Sequence, residues 1–197
     1  MPTDTTRAAL LDAAERLFLA KGYEQVSVRA VNAAAGMNPA AVHYHFGTKE
    51  DLVAALLQSR LGPLWARPLA DVERGTADGR APRVEEFVDV LVRPLDELTR
   101  TPHGRMLLHL LARVVLSRRQ LPFDERWFEY RSWRALLCAA RPDLSRAEAA
   151  HRLRMTFDLL LQLYGEPQLA TAELGGTPRP SADTVIAFVA AGLNTRP

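Results

Sequence analysis

Apolar residues recur at helical spacing along the whole chain. Leu10, Ala13, Ala14, Leu17 and Phe18 fall at i, i+3, i+4, i+7 and i+8, one face of a first helix. Lys21-Gly22 then supplies a basic last turn and a stop. Ser27 suits the N-cap of a second helix that runs through Ala35 and ends at Gly36. Asn38-Pro39 opens a third, with Asn as N-cap and Pro at the first helical position, where its missing N–H costs nothing. Gly47 closes that helix. Thr48 with Asp51 makes a start resembling a capping box for a fourth.

Longer helices follow, separated by breakers. The pattern predicts a fourth helix from Lys49 to about Glu73, disturbed by Pro63 and Pro68, and a loop from Gly75 to Pro82. A helix over Arg83 to Thr99 carries a kink at Pro94. Pro102 precedes a helix to about Ser117, and Pro122 an aromatic-rich one over Phe123 to Ala140. Ser145 and Glu148 form a capping box for a helix to Tyr164. Gly165 to Pro180 reads as loop, and Ser181 to Asn194 as the last helix. Strand alternation and hairpin turns are lacking, so the expected class is all-α. The expected division is residues 1–50, a helix-turn-helix unit, and residues 51–197, a second helical unit.

Composition narrows this picture. Of 197 residues, 48% are hydrophobic and 24% charged, which is enough to bury a core. A run of 18 apolar residues is missing, so no membrane span is expected, and Met1-Pro2-Thr3-Asp4 lacks a secretory signature. The single cysteine, Cys138, sits among apolar neighbours. It fits an inert thiol in a reducing cytoplasm. The net charge of +2 names no partner, and every basic residue except Lys21 and Lys49 is arginine. Spacing assembles no nucleophile–base–orienter set and no glycine-rich phosphate loop, so neither an enzyme nor a cofactor site is expected. His43 and His45, two apart on a helix, face different ways and do not suggest a shared metal.

The segment from Val28 to Gly47 has helix-turn-helix form. Its alanine-rich first helix lets another helix approach closely, and Gly36 permits the positive φ of the turn. Val42 and Phe46, four apart, face the small core. Pro39, Ala40, His43 and Tyr44 share the opposite face, and small residues at its start suit a deep major groove. No Asp or Glu lies between Gly36 and Lys49, yet Met1 to Glu50 as a whole is neutral, so a global basic footprint is absent.

Three stretches carry a resemblance to a known family. They are Gly22-Tyr23, Ala35-Gly36, and the run Val42-His43-Tyr44-His45-Phe46-Gly47-Thr48-Lys49-Glu50-Asp51-Leu52. Together they resemble the DNA-binding domain of TetR/AcrR-type transcriptional regulators, over about residues 6 to 60. The resemblance implies that Arg29 reaches a base edge or phosphate, and that Pro39, Ala40 and His43 face bases. It implies that Tyr44, His45 and Lys49 contact phosphate, with Ser27 and Asn38 completing the DNA-binding set. Two features depart from the family pattern. Asn32 stands where a small residue is usual, and the N-terminal arm carries only Arg7 as a base.

Phe157 to Tyr164 is apolar on nearly all sides, which implies a second buried face, and the last helix repeats that signal. The resemblance favours a homodimer built on these two helices through Phe157, Leu160, Leu161, Tyr164, Val185, Ile186, Val189 and Leu193. Trp65, Phe87, Met106, His109, Trp127, Phe128, Trp133 and Met155 are core by default. The family implies that such residues line a small-molecule cavity. The resulting expectation is a ligand-responsive repressor released from a palindromic DNA operator. The alternative is a helical small-molecule-binding protein or enzyme whose N-terminal helices are merely structural.

Overall fold

The computed structural model describes residues 2–77, 79–117, 130–165 and 179–196. Among these the chain is helical, with no strand. The helices are α1 (Pro2–Lys21), α2 (Val28–Ala34), α3 (Ala41–Phe46), α4 (Lys49–Ala77), α5 (Val84–Leu98), α6 (Pro102–Leu116), α7 (Tyr130–Ala140), α8 (Arg146–Gly165) and α9 (Ala182–Asn194). The aromatic-rich helix expected from Phe123 is described only from Tyr130. The loop expected over Gly165 to Pro180 lies mostly outside the described residues, and Gly165 itself is the last residue of α8.

α1 buries Leu10, Leu11, Ala13, Ala14 and Phe18 against α2, α4 and α6. α4 differs from its expected shape. It runs unbroken through Pro63 and Pro68 and continues past Glu73 and Gly75 to Ala77. Each proline deprives the carbonyl four residues earlier of its donor. Those carbonyls belong to Ser59 and Leu64, both exposed, so water can satisfy them and the helix survives. Leu52 to Leu57 are all buried, because this first part of α4 is enclosed by α1, α3, α5 and α6. The boundary expected at residue 50 therefore runs through one continuous core, which extends from Leu10 to Leu193.

α5 likewise continues through Pro94. It packs against α4, α6, α7 and α9, while α8 lies along α6. At the end of α8, Gly165 sits so close to α6 that a Cβ there would overlap Ala112. The capping box expected at Ser145 forms only by half. Ser145 Oγ accepts from Glu148 N at 3.1 Å, but the Glu148 carboxylate turns to Arg152 Nε at 2.7 Å. Arg152 is buried and donates onward to the carbonyls of Leu193 (3.1 Å) and Thr195 (2.6 Å). Arg141 reaches the same two carbonyls from α7's end. Two guanidiniums thus occupy the negative C-terminus of α9 and tie it to α8.

A polar joint fixes α1 to the rest. Arg60 of α4 donates to Glu15 through Nε at 3.0 and 2.9 Å and to Asp12 at 2.5 Å. His103, at the start of α6, meets Glu15 at 2.7 Å. Burial pushes the Glu15 carboxyl up, but the bonds from Arg60 and His103 outweigh it and hold the group below its ordinary value. A carboxylate whose folded pKa is depressed stabilises the fold fully above its unfolded pKa. That contribution is lost as pH falls through the folded value. Urea unfolding followed from about pH 6 to about pH 3 should show Glu15→Gln losing less stability than the parent. Parallel acid limbs in the two proteins would show that this joint contributes nothing.

Candidate nucleic-acid interface

α3 has six residues, far too short to persist alone. Its position is imposed from outside. Val42 is fully buried and Phe46 half-buried against the core, as their spacing predicts. The decisive restraint is Asn32 of α2, only 1% exposed. Its Nδ2 donates to the Pro39 carbonyl at 2.5 Å, and its Oδ1 accepts from Val42 N at 3.0 Å. Its backbone carbonyl also accepts from Met37 N at 2.9 Å, across the turn in which Gly36 has φ +66°. One amide therefore satisfies groups on both sides of the entry to α3. The sequence flagged Asn32 as unusual but not its role. The available signal was a polar residue on the stripe of α2 that faces α3.

α3 begins later than its expected Asn38 N-cap and Pro39 first position. Asn38 Oδ1 instead accepts from Ala40 N at 2.9 Å, closing a turn over Pro39, and Ala40 is the N-cap. At the far end Gly47 has φ +91°, and Thr48 and Asp51 cap α4 reciprocally, at 3.0 Å and 3.1 Å.

The outward face of α3 comprises Pro39, Ala40, His43 and Tyr44, all exposed, with Tyr44 81% exposed. Arg29 of α2 is exposed nearby in the chain, and Ser27 caps α2 by accepting from Ala30 N at 3.2 Å. His45 is half-buried and meets the Tyr44 ring edge-on at 5.0 Å. Arg7 of α1 lies over the Phe46 ring at 5.0 Å. His43 Nδ1 lies 2.9 Å from the Gly47 carbonyl.

Lys49, expected at phosphate, is half-buried at the start of α4. Its ammonium donates to the Tyr23 carbonyl at 2.7 Å and sits 3.8 Å over the Tyr23 ring. Burial lowers its pKa, with Glu24 and Glu50 opposing that shift. The Arg113 guanidinium of α6 lies 4.7 Å from the same ring and pairs with Glu24 at 2.5 Å. The Tyr23 bond uses one of the three ammonium donors.

The C-terminal candidates divide. Phe87 and Trp133 are buried with ring centroids 6.1 Å apart, and Phe157 joins Trp133 at 6.0 Å. Trp65 is buried and Met106 half-buried. His109 and Met155 are exposed, so neither faces an interior cavity, and Trp127 and Phe128 lie outside the described residues. An open cleft of about 450 Å³ between α4, α5 and α9, lined by residues including Arg80, Glu86 and Ile186, contains none of these aromatics. Of the residues expected at a dimer interface, Leu160, Leu161, Tyr164, Val185, Val189 and Leu193 are buried within the protomer. Phe157 and Ile186 are half-buried. The two helices do have a second apolar face, but it is the adjoining one. Met155, Leu159 and Phe188 are 63%, 41% and 69% exposed.

The model of bacterial regulatory proteins of the tetR family matches residues 10–56. The HTH-type transcriptional repressor Rv3405c of Mycobacterium tuberculosis is 32% identical over 164 residues, covering 80% of this chain and 74% of that protein. Among solved structures, a TetR transcriptional regulator from Rhodococcus sp. RHA1 aligns with TM-score 0.61 and 19% identity, over 97% of this chain and 95% of that one. SmeT, the repressor of the Stenotrophomonas maltophilia multidrug efflux pump SmeDEF, aligns with TM-score 0.58 and 20% identity, over 97% and 91%. SmeT in complex with triclosan aligns similarly, with TM-score 0.59 and 20% identity over 95% and 90%.

Asn32→Ala leaves the Val42 N–H and the Pro39 carbonyl unmatched. It should cost about 1–3 kcal/mol in urea unfolding and weaken DNA binding. Asn32→Asp should cost more, because a buried carboxylate would face the Pro39 carbonyl. A neutral Asn32→Asp would contradict the role given to Nδ2.

Proposed function

The chain belongs to the TetR family of bacterial regulatory proteins, and we propose that it is a homodimeric repressor released from a palindromic operator by a small molecule. DNA-binding transcription regulation follows from the family. Repression, the dimer and the ligand are inferred. The observation that carries the reading is the outward face of α3: exposed, free of carboxylates, and clamped from behind by Asn32.

In this reading residues 1–50 bind the operator and residues 51–197 bind ligand and partner. Pro39, Ala40 and His43 meet base edges, and Arg29 meets guanine or phosphate. Tyr44, with Ser27, Asn38 and His45 around it, holds phosphate and sets register without reading sequence. The Rv3405c relative, a named repressor, supports repression. Phe87, Trp133, Trp65 and Met106 are the residues proposed to touch the effector. SmeT shares the fold and is known with triclosan bound, which supports a small-molecule ligand here. Ligand would favour a dimer whose two α3 helices no longer match successive major grooves. Ligand and DNA must then weaken each other's binding by the same factor.

Selecting DNA fragments with the purified protein tests this directly. A palindrome bound in a salt-sensitive manner is expected, and binding that is indifferent to sequence would refute it. On that palindrome, Tyr44→Phe should lower affinity with unchanged base preference. Lys49→Met should lower the salt slope by about one unit per half-site, because the bond to Tyr23 uses one of three ammonium donors and leaves the charge in place. An unaltered slope would remove Lys49 from the phosphate contacts.

The dimer is proposed to form through Met155, Leu159 and Phe188, the large apolar side chains that α8 and α9 leave exposed. Met155→Arg and Phe188→Arg should give folded monomers by sedimentation and circular dichroism. Leu161→Arg and Val189→Arg should instead unfold the protomer, since both sites are core. Folded dimers from both exposed-site variants would refute this face.

A further inference from the structure

Resting on the reading that α3 enters the major groove, we propose that His43 reads the operator as a hydrogen-bond acceptor. It then selects an amine-bearing base, adenine or cytosine, at one symmetric pair of positions. The argument starts at Gly47. Its φ of +91° ends α3 and turns its carbonyl to within 2.9 Å of His43 Nδ1. The Gly47 N–H in turn donates to the His43 carbonyl at 3.0 Å, so residue and cap hold each other. A carbonyl oxygen can only accept, so Nδ1 carries the proton. A neutral imidazole with Nδ1 protonated has its lone pair on Nε2.

In the neutral ring that polarity is set by the Gly47 carbonyl. The ring is exposed, and among the described residues Gly47 is the hydrogen-bond partner given for it. Two cations of the N-terminal helices are engaged elsewhere: Lys49 on Tyr23, and Arg7 over Phe46. Of the other residues of this face, Pro39 and Ala40 have no polar side-chain atoms, and Tyr44 is assigned to phosphate in the proposed reading. In the major groove adenine N6 and cytosine N4 donate, whereas guanine and thymine present carbonyl oxygens at the corresponding edge. A lone pair on Nε2 is matched by the first two and repelled by the others.

The test is binding-site selection with the parent, His43→Ala and His43→Lys, followed by titration on the selected palindrome. The parent should enrich adenine or cytosine at one symmetric pair. His43→Ala should lose that enrichment at a cost of about 3- to 10-fold per half-site. His43→Lys, a pure donor, should move the enrichment to guanine. A second arm needs no variant. Replacing the selected adenine by purine, or the cytosine by 2-pyrimidinone, removes only the amine and should cost the parent the same factor and His43→Ala nothing. Indifference of the parent to loss of the amine, or a loss that His43→Ala shares in full, overturns the inference while leaving α3 in the groove. A parent protein indifferent to base changes at every position overturns the groove reading, and this inference with it.

Discussion

A helix of six residues can present a surface only if something else holds it, and in this protein that something is the Asn32 side-chain amide. It bridges the Pro39 carbonyl and the Val42 N–H, the two backbone groups that fix where α3 starts and how it is rotated. An amide does this because it carries a donor and an acceptor side by side. Alanine at this site would permit closer approach of α2 and α3 but would leave both groups without partners. The turn at Gly36 and the cap at Gly47 then close the two ends. Val42 enters the core and Tyr44 is left facing solvent as consequences of that rotation.

The same economy governs the charges. The N-terminal fifty residues are neutral, and much of their charge is used internally. Arg60 and His103 converge on Glu15, and Lys49 and Arg113 sit by the Tyr23 ring. These clusters join α1 and the start of α4 to α6, so the orientation of α3 is referred to the larger bundle behind it. α3 carries no Lys or Arg, and Arg29 of α2 is exposed. If α3 meets DNA as proposed, such a surface gains less from counterion release and depends more on base contacts.

Much of this was legible in the sequence because it is local. Ser27, Gly36, Gly47 and the Thr48–Asp51 pair announce helix ends through backbone chemistry confined to a few residues, and each does so in the structure. The Tyr-His-Phe run falls on α3, the helix expected there. What failed was long-range or depended on rotation. Pro63 and Pro68 read as disturbances of a helix ending near Glu73, yet α4 continues to Ala77, and the residues whose carbonyls lose a donor, Ser59 and Leu64, are exposed. The contact of Lys49 with Tyr23 joins residues far apart in the sequence, and no local pattern announces it. Helices α8 and α9 were correctly read as apolar on two faces. Their apolar runs did not reveal which face the protomer consumes, since neighbouring residues on one helix differ in orientation by only about 100°. Hence Leu161 and Val189 turned inward, and Met155 and Phe188 outward.

The central claim is that α3, locked by Asn32, enters the major groove twice per operator. An iron chelate tethered at Ala40→Cys, in a protein carrying Cys138→Ser, would cut DNA from the tip of α3 itself. Two cleavage centres are predicted in the major groove of the selected palindrome, related by its two-fold axis and separated by about 10 base pairs or a multiple of that helical turn. Cleavage without a fixed position, or centred in the minor groove, would contradict the account.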